Sequence, residues 1–294
     1  METYNDIYLR VRKNLKSAGV ENSEFEARII VAFCANRSRE ELIAMGKIYA
    51  TDIKIRRKID ESLERRLKSE PLAYIIGEWE FYGLPFIVNE NVMIPRIDTE
   101  LLVRETINVL NRKVWQTRLL DLCTGSGCVG LAIAANVTNC RIVMVDSSEN
   151  ALAVCRANML KNKLSRNITA IDADILIKPP AILGEFDVIV SNPPYIPTGD
   201  IEDLDDSVKD YEPIEALDGG EDGLDYHRAI AENWRRVLKP GGHLILECGI
   251  DQAPAVRYIM KQNNFGNIKT FKDTLGIERV VIGMIKEGKE FKNG

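Results

Sequence analysis

The sequence predicts an α/β fold, with a seven-stranded, mostly parallel Rossmann-like sheet behind a small all-α N-terminal domain. Three observations carry this. After Pro95, short apolar runs at 118–122, 141–145, 168–171, 186–190 and 243–248 alternate with helical segments, as parallel strands joined by crossover helices require. Two last runs, 267–271 and 279–284, have no long helix between them, so the final strand is expected to return antiparallel. Before Leu72, apolar residues recur instead at helical spacing: Ile7, Val11, Leu15, then Ala27, Ile30, Val31, Cys34.

Pro71 closes the helical part. The aromatic and β-branched stretch from Trp79 to Ile94, broken by Gly83 and Asn89, reads as a β-hairpin. The expected division is therefore 1–75 helical, 76–94 hairpin linker and 95–294 catalytic.

At 294 residues and 45% hydrophobic content, the chain can fill a real core. Met1 to Lys16 mixes charges with single apolar residues, unlike a signal peptide or membrane span, so a cytoplasmic protein is expected. Six scattered cysteines without a Cys-x-x-Cys pair, and two histidines, argue for buried thiols and against a metal site. His227 and His243 fall outside the motifs described below and are read as structural. Residues 200–225 hold twelve acids against one lysine, which leaves the rest of the chain net positive.

Residues 119–134 read as strand, Gly-rich turn and helix, with Gly125 and Gly127 allowing the backbone to approach a ligand. Gly125, Gly127 and Gly130 satisfy GxGxxG, and Asp146 sits where a ribose-binding acid is expected, so the loop alone is compatible with NAD. Asp121 tips the reading towards S-adenosyl-L-methionine, because a carboxylate there attracts an ammonium group and repels a pyrophosphate. The cofactor contacts expected from the residues themselves are Asp121, Gly125, Gly127 and Asp146. Asp174 and Ile175 are expected at the adenine, with Asp172 as the competing acid.

Residues 186–195 run from a buried strand into Asn192-Pro193-Pro194-Tyr195, at the carboxyl edge of the sheet where α/β sites lie. An amide nitrogen is a poor nucleophile because its lone pair is delocalised, so its N–H groups must be oriented by fixed acceptors. The Asn192 side-chain oxygen is one acceptor and the Pro193 carbonyl a second, held by Pro194. Tyr195 is expected to stack on the planar substrate group. Together, Asn192, Pro193, Pro194 and Tyr195 are the predicted substrate and catalytic loop, acting on a planar amide or amine nitrogen.

These residues, with the stretch 70–77, Ile94-Pro95-Arg96, Tyr211-Glu212-Pro213 and the stretch 238–242, resemble the peptide chain release factor glutamine methyltransferases of the HemK type. The resemblance spans most of the chain. It implies the class I S-adenosylmethionine-dependent methyltransferase fold and a helical domain that helps hold a protein substrate. The implied reaction is methylation of the glutamine side-chain nitrogen in the Gly-Gly-Gln motif of class 1 release factors. The resemblance also implies that Cys123, Thr124, Gly125, Ser126, Gly127, Asp146 and Asn192 contact the cofactor, and that Asn192 to Tyr195 hold the glutamine. The chain departs from the family pattern at Cys123, where glycine is common, and at Ile97-Asp98, where Pro-Glu is common. A Cys side chain fits at 123 if that residue keeps an ordinary strand-end backbone, in which case the departure reshapes the pocket slightly and does not remove it.

A sister group that methylates a ribosomal protein shares Asn-Pro-Pro-Tyr and ranks second, because Thr99 to Leu102 and Gly77-Glu78 look more like the release factor enzymes. Adenine-amino methyltransferases share the loop but must bind phosphates. The acidic stretch after Tyr195 argues against a nucleic-acid substrate. A non-catalytic nucleotide binder is the remaining contender. The acidic stretch is itself expected to be a lid that meets basic residues of the substrate protein.

Overall fold

The computed structural model describes residues 2–286, so 287–294 of the expected catalytic span lie outside the described residues. The chain forms two compact units, one running through Glu78 with Asp205–Tyr211 added, the other comprising Trp79–Leu204 and the chain from Glu212 onward.

In the first unit the helices are Tyr4–Ser17, Ser23–Ala35, Arg39–Ala44, Ile53–Leu67 and Leu72–Ile76. Their starts are written in the sequence: Thr3 with Asp6, and Ser38 with Glu41, form capping boxes that satisfy otherwise orphaned amides. Every apolar position picked out by its spacing is buried, and Ile7, Val11, Leu15, Ile30 and Ile59 are wholly enclosed. Beneath them Arg66 Nε donates to Glu26 at 2.6 Å, a largely enclosed ion pair. The Tyr211 hydroxyl donates to the Lys68 carbonyl, so the centre of the acidic stretch packs with the helices.

β1 (Glu78–Phe81) and β2 (Leu84–Ile87) form a hairpin, and Trp79 is the first residue of the second unit. Tyr82 and Gly83 both take positive φ, 52° and 74°, as a two-residue turn matched to strand twist demands. The main sheet contains β3 (Thr117–Leu122), β4 (Cys140–Asp146), β5 (Ile168–Asp172), β6 (Phe186–Ser191), β7 (Leu238–Glu247), β8 (Phe265–Lys272) and β9 (Glu278–Ile285). Their spatial order is β5-β4-β3-β6-β7-β9-β8. β9 lies antiparallel between β7 and β8, and the other described pairings are parallel.

β7 starts five residues earlier than the apolar run that announced it, because Leu238 pairs with Phe186 before a register shift. The core on one side of the sheet gathers Leu120, Leu122, Ile189, Leu244 and Leu246 around Trp234, whose indole N–H donates to the Ile175 carbonyl at 2.8 Å.

The strand order reverses between β3 and β6, the position at which open α/β sheets bind ligands. Register makes the consequence specific. Leu122 lies opposite Ser191, so Cys123 and Asn192 leave the sheet side by side.

Candidate active site

A cavity opens at this edge, lined by the turn after β3, the end of β4 and the loop after β6. One wall is the turn after β3, with Cys123, Thr124, Gly125 and Ser126 on its surface. The turn winds through left-handed backbone at Cys123 (φ 55°), Gly125 (φ 53°) and Gly127 (φ 81°). Gly127 itself lies behind the wall, where a Cβ would sit 2.8 Å from the Cys155 sulfur, so both the conformation and the space require glycine. The buried Asn158 amide ties the loop down, donating to the carbonyls of Ser126 (2.9 Å) and Ile87 (3.0 Å).

Asp146, at the end of β4, lines the cavity. Its Oδ2 accepts from Gly125 N at 2.8 Å and its Oδ1 from Ser148 N at 3.0 Å. Burial raises its pKa, and the bonds from Gly125 and Ser148 oppose that rise.

Asp121 is placed differently from expectation. It is 1% exposed beneath the loop and does not face the cavity. Its Oδ2 accepts from the Thr124 hydroxyl (2.6 Å) and from Gly130 N (3.0 Å). Asp121 is therefore a strut for the turn, and the expectation that it meets an ammonium group or repels a pyrophosphate directly is withdrawn. Burial lifts its pKa to about 7.

Cys123 does not keep ordinary strand-end backbone either. Its φ of 55° is the left-handed region, which explains why glycine suits this position. Burial pushes its thiol far up, so it stays protonated. Cys123→Gly is expected to change stability by less than about 1 kcal/mol, whereas β-branched Cys123→Val should cost more than about 2 kcal/mol. Urea unfolding of the two variants checks the ordering.

Of the pair expected at the adenine, Ile175 is buried and lines the cavity. Asp174 is exposed, off the wall, and accepts from Leu176 N at 2.8 Å; Asp172 is exposed as well.

In the second loop Asn192 and Pro194 line the cavity, while Pro193 and Tyr195 do not. Asn192 Nδ2 donates to Thr99 Oγ1 at 3.2 Å. The expected stacking surface of Tyr195 is thus not part of this wall. The ring is half-buried, and burial together with the nearby Glu247 carboxyl drives its phenol pKa upward. The loop is anchored through its backbone: Gln252 Nε2 donates to the Tyr195 carbonyl at 2.8 Å, and Ile196 N donates to Leu217 at 3.0 Å. Gly223, at φ 73°, approaches so closely that a Cβ there would lie 2.3 Å from the Tyr195 oxygen.

Sequence reasoning missed the facing wall. Asn91, Val92, Met93 and Pro95 line it from one side, and Pro213, Glu215 and Ala216 from the acidic stretch. The Arg96 guanidinium pairs with the Glu212 carboxylate, whose other oxygen accepts from Ile94 N at 3.2 Å. The motifs Ile94-Pro95-Arg96 and Tyr211-Glu212-Pro213 were the available signal, but nothing in their spacing shows that they meet. Tyr226, also on the wall, carried no signal of its own, and Thr99 figured in the sequence only as the start of the stretch 99–102, with nothing to place it at the cavity.

His227 is wholly buried, with Nε2 against the Glu247 carbonyl at 2.9 Å, and burial lowers its pKa to about 4. The unfolded chain then takes up a proton near pH 6.5 and the folded chain only near pH 4, so His227 costs stability as pH falls through that window. His227→Gln is expected to narrow the loss of Tm between pH 8 and pH 5, measured by calorimetry. An unchanged difference contradicts it.

Among the described residues, no group of three His, Cys, Asp or Glu could hold a metal ion, and no helix is long and apolar enough to cross a membrane.

A family model described as methyltransferase small domain matches residues 97–204, and one described as PrmC N-terminal domain matches residues 6–77. A release factor glutamine methyltransferase of Clostridium acetobutylicum is 36% identical over 279 residues, covering 95% of this chain and 97% of that protein. The protein of the same name from Geobacter sulfurreducens is 43% identical over 223 residues, covering 75% of each. A solved methyltransferase from Pyrococcus furiosus has a TM-score of 0.51 at 17% identity, over 77% of this chain and 99% of that one, a likeness of fold alone. Identity of 36% over nearly the whole length of one such protein, and of 43% over three quarters of another, decides the question: the chain belongs to the release factor glutamine methyltransferase family.

Proposed function

We propose that the cavity takes S-adenosyl-L-methionine and that the enzyme methylates the side-chain nitrogen of the glutamine in the Gly-Gly-Gln motif of class 1 peptide chain release factors. The observation that carries this is the placement of Asn192 on the wall of the same cavity as the Gly-rich turn and Asp146. The residues present suit the cofactor. Each Asp146 oxygen accepts one backbone N–H and keeps a lone pair for a ribose hydroxyl. Ile175 offers an apolar face for the adenine.

Bound there, S-adenosyl-L-methionine supplies an electrophilic methyl group on a sulfonium. The protein's task is to orient a weak nucleophile. Because one N–H of the Asn192 amide is bonded to Thr99, the carboxamide is oriented with its oxygen as the end left to accept from the substrate amide. The Pro193 carbonyl is the second acceptor in this reading, and two acceptors select a nitrogen with two hydrogens. Asp121 contributes by holding the turn. Pro194 restricts the backbone before it, and Tyr195 borders the substrate group from outside the cavity wall.

In the same reading, 1–75 helps hold the protein substrate, 76–94 links, and 95–294 catalyses, in the cytoplasm. Exposed acids of the acidic stretch, among them Asp200, Asp203 and Asp210, favour a basic protein partner and oppose a phosphate backbone. Methyl transfer from labelled cofactor to a release factor, with no label entering RNA or DNA, is the expected result. Label in nucleic acid alone overturns the proposal.

A further inference from the structure

Thr99 connects the Asn192 side chain to a buried carboxyl that no motif accounts for. Asn192 Nδ2 donates to Thr99 Oγ1 at 3.2 Å, and the Thr99 hydroxyl donates onward to Glu247 Oε1, also at 3.2 Å. A hydroxyl has one proton. Here that proton is committed to the carboxyl, so the Thr99 oxygen faces Asn192 as an acceptor only. A flipped carboxamide would set two acceptor oxygens against each other.

The three residues meet because of the topology. Thr99 opens the helix Thr99–Leu110, Glu247 ends β7, and Asn192 follows β6. Ser191 lies opposite Leu246, which brings the next residues, Asn192 and Glu247, to the same edge. Glu247 is 1% exposed, its own carbonyl is held by His227, and among the described residues its Oε2 has no hydrogen-bond partner. Packing alone would favour an apolar side chain there, since a buried carboxyl with an unpaired oxygen is costly. Burial raises its pKa to about 7, and the Thr99 bond, the Arg279 guanidinium and the neighbouring Tyr195 hydroxyl oppose that rise.

We propose that Glu247 and Thr99 are positioning residues, a relay from carboxyl through hydroxyl that locks the Asn192 carboxamide with its oxygen available to the substrate amide. The inference rests on the reading of Asn192 as that acceptor. It assigns Glu247 no contact with substrate.

The test uses four single variants of the full chain with a release factor substrate, together with one double variant and Asn192→Ala as the reference: Thr99→Val and Glu247→Leu break the relay, and Thr99→Ser and Glu247→Gln keep a hydroxyl and an acceptor. Thr99→Val is expected to lower kcat about 10- to 100-fold, with cofactor Kd by calorimetry within about threefold. Thr99→Ser and Glu247→Gln should recover most of the loss, and the double Thr99→Val/Glu247→Leu should be no worse than either single change. The side-chain amide signal of Asn192, assigned by its disappearance in Asn192→Ala, should move in Thr99→Val and stay in Thr99→Ser.

Turnover of Thr99→Val within about threefold of the parent, a loss confined to KM or cofactor Kd, or a serine variant as impaired as the valine one overturns the relay. If Glu247→Leu does not fold, the Thr99 pair decides. An active Asn192→Ala would instead sink the underlying reading of the loop, whereas an inactive Asn192→Ala beside an active Thr99→Val sinks the relay alone.

Discussion

Asn192→Ala is expected to lower kcat by about two to three orders of magnitude while cofactor Kd stays within about threefold. The asymmetry follows from what the side chain does. Its amide is anchored through Nδ2 on Thr99, and its oxygen accepts from a nitrogen that becomes more acidic as the methyl group arrives, so the bond is strongest in the transition state. Alanine removes that acceptor and leaves the Gly-rich turn, Asp146 and Ile175 in place. Single-turnover transfer to a release factor, with calorimetry of the cofactor, separates the two quantities. A large rise in Kd with unchanged turnover would place Asn192 in cofactor binding instead.

Glu212→Ala should destabilise the second unit by about 2–3 kcal/mol and weaken cofactor binding as well. The carboxylate is 1% exposed, pairs with Arg96 and accepts from Ile94 N, so alanine strips a buried backbone amide and a guanidinium of their partner together. Arg96, 38% exposed, regains water in part, which keeps the cost below that of a fully enclosed pair. Because Pro95 and Pro213 flank these residues and line the cavity, loss of the pair loosens the wall itself. Glu212→Gln retains an acceptor for Ile94 and should cost about half as much. Chemical denaturation checks the stability; a change below about 0.5 kcal/mol for the alanine variant contradicts this account.

The sheet was legible because its strands are short apolar runs with turn chemistry between them, and that pattern survives without tertiary information. The first unit was legible through helical spacing, its buried face matching the residues that repeat. The candidate site was legible where a motif fixes local backbone: the turn after β3, the acid ending β4 and the loop after β6 all reach one cavity.

What was not legible depends on contacts between distant segments. Arg96 and Glu212 are 116 positions apart, Thr99 and Glu247 148. Neither pair has a spacing that announces it. Asp121 was legible as important but not in its direction. From sequence alone it is an acid beside a glycine turn, and only the bonds to Thr124 and Gly130 show that it faces inward. The condition set for Cys123, an ordinary strand-end backbone, is not met for a related reason, since a residue's φ is set by the turn it must close and not by its own preference.

The most direct test of the central claim is mass spectrometry of a class 1 release factor after incubation with the enzyme and S-adenosyl-L-methionine. The expected result is a gain of one methyl group, located by fragmentation on the glutamine side chain of the Gly-Gly-Gln motif and absent when Asn192→Ala replaces the parent enzyme. A methyl group found on another residue, or an unmodified release factor beside a methylated ribosomal protein or nucleic acid, would contradict it.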